Sequence, residues 1–162
     1  MGTRQHPEAP GYPYFITFAT HERQPILKDP AAARLLVDQL FALRGELGFL
    51  LLGYVVMPDH VHVVIVPHAD APLAKVMQFV KGRFARIYNG RSGRAGRLWQ
   101  PRYYEAVIRD EAALLRRMRY MKENPVRAGL AVNPEDYPFS SAIRATDLDR
   151  YLSPEPSAVA PG

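Results

Sequence analysis

Two histidines interrupt an apolar run in the first half of the chain. The run reads GYVVMPDHVHVVIVP over residues 53–67, and the histidines are His60 and His62. In a β-strand both imidazoles would share one face, about 6–7 Å apart at their Cα atoms, and could bind one metal ion. The alternative is two histidines satisfied by hydrogen bonds on a sheet face, which a bare His-x-His pattern fits at least as well.

Two histidines alone leave a divalent-metal site incomplete, because the ion needs further oxygen or nitrogen donors. The stretch RRMRYMKENPVRAGL at residues 116–130 offers Tyr120 and Asn124, which share one face if the stretch is helical. A helical tyrosine is most often a core residue, yet this one lies among four basic residues. A hard cation held by His60, His62 and Asn124 beside Tyr120 would support phenolate attack on a phosphate.

Positive charge is concentrated in one segment. The net charge is +5, yet residues 71–104 contain eight basic residues and no acidic one, leaving 13 basic and 16 acidic residues elsewhere. Such clustering favours a polyanion, most simply nucleic acid, whereas a solvated basic face is the alternative. The predicted DNA-binding residues are Lys75, Lys81, Arg83, Arg86, Arg91, Arg94, Arg97 and Arg102.

Six aromatic residues lie in the same basic segment. Aromatic rings among phosphate-binding cations are typical of proteins that stack the bases of single-stranded nucleic acid. Some of these rings must instead fill the core. They are Phe79, Phe84, Tyr88, Trp99, Tyr103 and Tyr104.

The elements that position these residues follow from periodicity and turn signals. Strands are predicted at 12–20, 49–57, 60–67 and 102–109, and helices at 30–47, 71–89 and 111–124, with Pro125 ending the last helix. A Gly/Arg loop is expected at 90–97. The order β-α-β-β-α-β-α predicts an α+β domain, a ferredoxin-like antiparallel sheet with helices on one face.

Length and composition set the remaining expectations. We expect one domain over residues 1–150 and a disordered tail over 151–162, where proline is frequent. The chain has no cysteine, which excludes disulfides and thiolate metal sites. It shows no leader and no apolar run near the ~20 residues of a membrane span, so we expect a cytoplasmic protein without membrane contact.

Four stretches resemble one family in order and spacing. They are YFITFATHERQPIL, GYVVMPDHVHVVIVP, LWQPRYYEAVIRDEAAL and YMKENPVRAGL, and they cover most of residues 12–132. The chain resembles the single-tyrosine transposases of the HUH class, specifically the REP-associated tyrosine transposases. That resemblance implies His60 and His62 as ligands of Mg2+ or Mn2+, Tyr120 as the nucleophile and Asn124 as a further ligand.

The resemblance also implies a substrate and a reaction. Members of that family cleave single-stranded DNA at repeats that fold into hairpins, leaving a 5′-phosphotyrosine and a free 3′-OH. Insertion-sequence relatives act as dimers and REP-associated relatives as monomers, so a monomer or a homodimer is expected. Asp59 stands where many relatives carry asparagine, and it either adds a carboxylate near the metal or shapes the turn.

Two other classes of function remain open. One is a hairpin-DNA-binding protein that has lost catalysis, and the other is a metal-dependent phosphodiesterase that uses water while Tyr120 is structural. A covalent protein–DNA adduct would distinguish all three.

Overall fold

The structure is a computed structural model and describes residues 9–151. The described residues form strands β1 (Tyr14–Ala19), β2 (Leu50–Val56), β3 (His60–Val66) and β4 (Tyr104–Val107), and helices α1 (Pro30–Leu47), α2 (Leu73–Ser92) and α3 (Glu111–Arg127). The strands pair antiparallel in the order β2-β3-β1-β4. The predicted α+β class and antiparallel sheet are confirmed. None of the helices described is long and apolar enough to span a bilayer.

Helices cover both faces of the sheet. Helices α1 and α2 pack on the face that carries Ile16 and Val63, whereas α3 packs on the face that carries Phe15 and Val64. The prediction that all helices lie on one face is therefore wrong for α3. The physical reason is that β2 and β3 are buried at nearly every position, so apolar side chains on each face need a cover.

Helix α3 approaches β2 closely at Gly53. A Cβ atom at this position would lie 2.7 Å from the Met118 Cε and 2.8 Å from the Met121 Cε. The strand is also irregular here, with a shift of register between Leu51 and Gly53. Because Gly53 has no side chain, α3 packs close to the sheet. This close packing determines how far the side chains of α3 lie from the sheet.

Helix α3 continues through Pro125 to Arg127, so the prediction that Pro125 ends it is wrong. Proline forfeits one hydrogen bond to the residue four positions earlier, but only the final turn follows here. That turn is closed by Ala128 N donating to Asn124 O at 3.0 Å. Pro125 is also buried, which offsets part of the cost, and Asn124 stays helical. Helix α2 likewise runs to Ser92, so the predicted loop begins only at Gly93.

The segment after α3 is irregular and runs along the edge of β2. Tyr137 donates its hydroxyl to Val56 O, and Leu51 N donates to Asp149 Oδ2 at 2.9 Å. These bonds satisfy backbone groups that an edge strand would otherwise expose. Residues 152–162 of the predicted tail lie outside the described residues.

Candidate active site

His60 and His62 lie on the face of β3 that α3 covers. Alternation along the strand sends both imidazoles the same way, and their ring centroids are 4.8 Å apart. His62 is buried and stacks on Phe15 at 5.3 Å between ring centroids. The predicted sharing of one face therefore occurs, and it occurs beneath a helix rather than on an open sheet.

His62 has a partner at each ring nitrogen. Its Nδ1 lies 2.7 Å from Thr17 Oγ1 on β1, and its Nε2 lies 3.3 Å from Asn124 Nδ2 on α3. Burial, and then the charges of His60, Arg23 and Arg117, lower the pKa of His62 to about 3. The imidazole is therefore neutral at physiological pH. If Nδ1 carries the proton and donates to Thr17, Nε2 keeps the lone pair that a metal requires.

Asp59 orients His60. The His60 Nδ1 lies 2.7 Å from Asp59 Oδ1, and Asp59 Oδ2 accepts from Arg23 Nε at 3.1 Å. A carboxylate bonded to one imidazole nitrogen leaves the other available for a metal. Arg23 adopts φ 54°, a left-handed conformation that is uncommon for a side-chain-bearing residue. The turn that aims Arg23 at Asp59 therefore carries backbone strain.

Tyr120 stands over the histidines from α3. Its ring centroid is 5.5 Å from that of His62 and 6.3 Å from that of Phe15, and 39% of the residue is exposed. It is therefore not a core tyrosine. The Arg127 guanidinium carbon is 5.7 Å from the Tyr120 ring centroid, and that of Arg117 is 4.4 Å from the Phe15 ring centroid.

The structure brings His60, His62, Tyr120 and Asn124 together from two elements that are far apart in sequence. Thr17 and Phe15 were missed by sequence reasoning, because only the pairing of β1 with β3 places them beside His62. The described residues contain no cluster of three His, Cys, Asp or Glu side chains able to hold a metal. A metal here would depend on two imidazoles and one amide oxygen, with its other positions left to substrate and water.

The eight predicted DNA-binding residues divide into two groups. Five lie on α2, which packs on the opposite sheet face, and Arg83 among them forms a two-bond ion pair with Glu46 at 2.7 and 2.8 Å. The other three lie on the segment after α2. This segment contacts the end of the sheet that carries His60, because Gln100 N donates to Ala19 O and Ala19 pairs with His60. The five on α2 are Lys75, Lys81, Arg83, Arg86 and Arg91, and the other three are Arg94, Arg97 and Arg102.

Four of these residues are exposed, and their side chains make no hydrogen bond or ion pair with the part of the chain that the structure describes. By contrast, Lys81 donates to Gln100 O at 2.8 Å and Arg94 donates to Gln24 Oε1 at 3.1 Å. Lys75 donates weakly to Asp70 O at 3.5 Å. The cations free to bind phosphate are Arg86, Arg91, Arg97 and Arg102.

Sequence comparisons identify relatives of one kind. The family model described as "Transposase IS200 like" matches residues 10–124. The REP-associated tyrosine transposase of Escherichia coli is 26% identical over 122 residues, which cover 75% of this chain and 70% of that protein. A Haemophilus influenzae protein assigned to the same class is 29% identical over 106 residues, covering 59% of this chain and 60% of the relative. The match thus spans less than two thirds of the Haemophilus protein.

A solved structure has the same fold. It is described as a REP-associated tyrosine transposase bound to a REP hairpin, and it matches with a TM-score of 0.75 and 23% identity. The match covers 99% of this chain and 96% of the other. Together with the sequence relatives, it confirms the similarity to REP-associated tyrosine transposases.

Proposed function

This chain belongs to the IS200-like transposase family, and from that premise we propose that it cuts and rejoins single-stranded DNA at hairpin-forming repeats through a covalent 5′-phosphotyrosine at Tyr120. The observation that carries the proposal is the position of Tyr120. Its ring is partly exposed, lies 5.5 Å from the buried ring of His62, and comes from a helix facing the strand that bears both histidines. A structural tyrosine would not need that combination of exposure and proximity.

The donor set fits a divalent cation. His60 and His62 would each supply an imidazole nitrogen, and Asn124 would supply its amide oxygen after a turn of the side chain, since its nitrogen now lies nearest His62. When bound, Mg2+ or Mn2+ would polarise a non-bridging oxygen of the scissile phosphate. The bond from His60 to Asp59 and the neutral state of His62 support this role.

Tyr120 carries the covalent step. Its Oη forms a bond to phosphorus while the bond from phosphorus to the 3′ oxygen breaks, and the phenol proton is balanced by the proton that the 3′-OH gains. The reverse attack by a 3′-OH rejoins the strands and releases the phenol. The negative charge that develops on the phenol oxygen in this step is stabilised by nearby positive charge. The Arg117 guanidinium over the neighbouring Phe15 ring supplies such charge. Arg127 lies over the Tyr120 ring, but Glu123 already pairs with it at 3.0 Å.

The proposed substrate is hairpin DNA with single-stranded flanks. The Escherichia coli relative is named for REP repeats, and the similar solved structure is described with a REP hairpin. The exposed cations near the site suit a phosphate backbone. We propose a monomer or a homodimer, acting in the compartment that holds the genome, which in bacteria is the cytoplasm.

One experiment separates this proposal from its alternatives. Radiolabelled hairpin oligonucleotides are incubated with the protein and Mg2+ or Mn2+, and denaturing gels report cleavage and covalent adducts. We expect both from the unaltered protein, neither after chelation with EDTA, and neither from Tyr120→Phe. The matched control is Tyr88→Phe, because Tyr88 stacks on Phe84 on the opposite face of the sheet and should behave like the unaltered protein.

The contradicting outcomes are equally distinct. Cleavage without an adduct would assign the chemistry to water and make Tyr120 structural. Binding without cleavage at any metal concentration would assign the protein to the silent DNA-binding class.

A further inference from the structure

Tyr104 is an exposed aromatic ring on the sheet face that carries the histidines. It lies on β4, the edge strand, and 54% of the residue is exposed. Thr17 of β1 pairs with His62 on one side and with Tyr104 on the other. Laterally paired residues point to the same face, so Tyr104 and His62 face the same way with Cα atoms about 10 Å apart, two strand spacings.

The Tyr104 ring belongs to the same aromatic group as the candidate nucleophile. Its centroid is 6.5 Å from that of Phe15 in an edge-on contact, and Tyr120 makes a similar contact with Phe15 from α3. Phe15 is buried and stacked on His62, so it holds a fixed position between the two tyrosines. The Arg117 guanidinium lies over the same Phe15 ring, which places positive charge beside them.

The other aromatic residues of the basic segment are placed differently. Phe84 and Trp99 are buried in the core under α1 and α2, and Tyr88 and Tyr103 pack against that core. Phe79 is exposed, but it lies on α2 at the opposite face. Of the six rings, only Tyr104 is exposed on the face that carries His60 and His62.

We infer that Tyr104 is a stacking platform for a base next to the phosphate that Tyr120 attacks. The inference rests on the proposed function and adds a nucleotide subsite to it. Only β1 separates Tyr104 from His62, with about 10 Å between their Cα atoms, so a base stacked on Tyr104 would lie beside the histidines. Base stacking on an aromatic ring is tolerant of sequence, so this subsite would position the strand rather than read it.

The test is binding of a fluorescent oligothymidine of about 20 nucleotides, followed by polarisation over a range of salt concentrations. Tyr104→Leu should weaken binding roughly tenfold at fixed salt, because stacking on one ring is lost. The slope of log K against log salt should not change, because no phosphate contact is removed. Tyr104→Phe keeps the ring and should bind within about twofold of the unaltered protein.

Phe79→Leu is the matched control, since it removes an exposed aromatic ring from α2, on the opposite face, and should leave binding unchanged. The inference is overturned if Tyr104→Leu binds like the unaltered protein, if Phe79→Leu loses as much affinity, or if the salt slope falls by about 0.7, as for a lost phosphate contact. Photocrosslinking of a 5-bromouracil oligonucleotide to the unaltered protein is independent of any variant's folding. It should attach to Tyr104, and attachment only elsewhere would overturn the inference.

These outcomes are separate from the test of the proposed function. A normal adduct at Tyr120 with unchanged binding by Tyr104→Leu would overturn the stacking platform alone. Absence of any adduct would overturn the proposed chemistry, but the binding of the Tyr104 and Phe79 variants could still be compared.

Discussion

The two faces of the sheet differ in the side chains that they bury. The twelve largest fully buried side chains all belong to the face covered by α1 and α2. Helix α1 buries six residues and α2 buries five, whereas α3 buries only Met121 and Pro125. The α3 face has a smaller apolar cluster, which includes Phe15 and Val64, and it also holds His62, Thr17 and the partly exposed Tyr120.

The face covered by α1 and α2 therefore contributes mainly to stability, whereas the face covered by α3 carries the candidate active site. A close-packed apolar face gives most of the folding free energy, but it has no room for a polymer and no groups that bind a cation. The α3 face has lighter packing and polar residues with fixed partners, so a DNA strand can approach it. Substitutions on the face covered by α1 and α2 should therefore lower stability, and substitutions on the α3 face should lower activity.

The largest expected effect is on activity at the α3 face. His60→Ala should lower the cleavage rate roughly a thousandfold, because loss of a metal ligand removes several kcal/mol of transition-state stabilisation. Its thermal unfolding should stay close to that of the unaltered protein, since His60 belongs to neither buried apolar cluster. Unfolding of His60→Ala at ordinary temperatures would show that the histidines are structural.

The next effect is on stability at the closed face. Leu40→Ala should lower the free energy of unfolding by about 2–5 kcal/mol, because Leu40 is fully buried and its removal leaves a cavity. Leu115→Ala on α3 is the matched control, with 58% exposure and an expected change within about 0.5 kcal/mol. Urea unfolding measures the free energy of unfolding of both variants. Equal losses in the two variants would contradict the proposed difference in stability between the faces.

The smallest effect concerns the basic residues. Arg102→Ala should reduce the salt slope of single-strand binding by about 0.7, as one phosphate contact is lost. Arg83→Ala should leave the slope unchanged, because Glu46 already holds that guanidinium on the opposite face. A larger change for Arg83 than for Arg102 would place the bound strand along α2 instead of beside the histidines.

Much of this arrangement was predictable because it depends on local periodicity. The shared face of His60 and His62 follows from the alternation of a strand, and that of Tyr120 and Asn124 from the spacing of a helix. Pro125 was misjudged because a local rule took no account of burial near the end of a helix.

What could not be predicted depends on contacts between distant segments. Strands that are apolar on both sides do not reveal which helix covers which face. Thr17 gains its place beside His62 only through a pairing 45 residues apart, and Arg83 is neutralised by Glu46 across 37 residues. A single sequence carries no sign of either contact.

The most direct test of the proposed mechanism is the identity of the residue that becomes joined to DNA. The unaltered protein is incubated with a hairpin oligonucleotide and Mg2+ or Mn2+, the adduct is isolated under denaturing conditions, and its peptides are analysed by mass spectrometry. We expect a single modified peptide containing Tyr120, with the nucleotide attached through a 5′-phosphate. Attachment to any other residue, or through a 3′-phosphate, would contradict it.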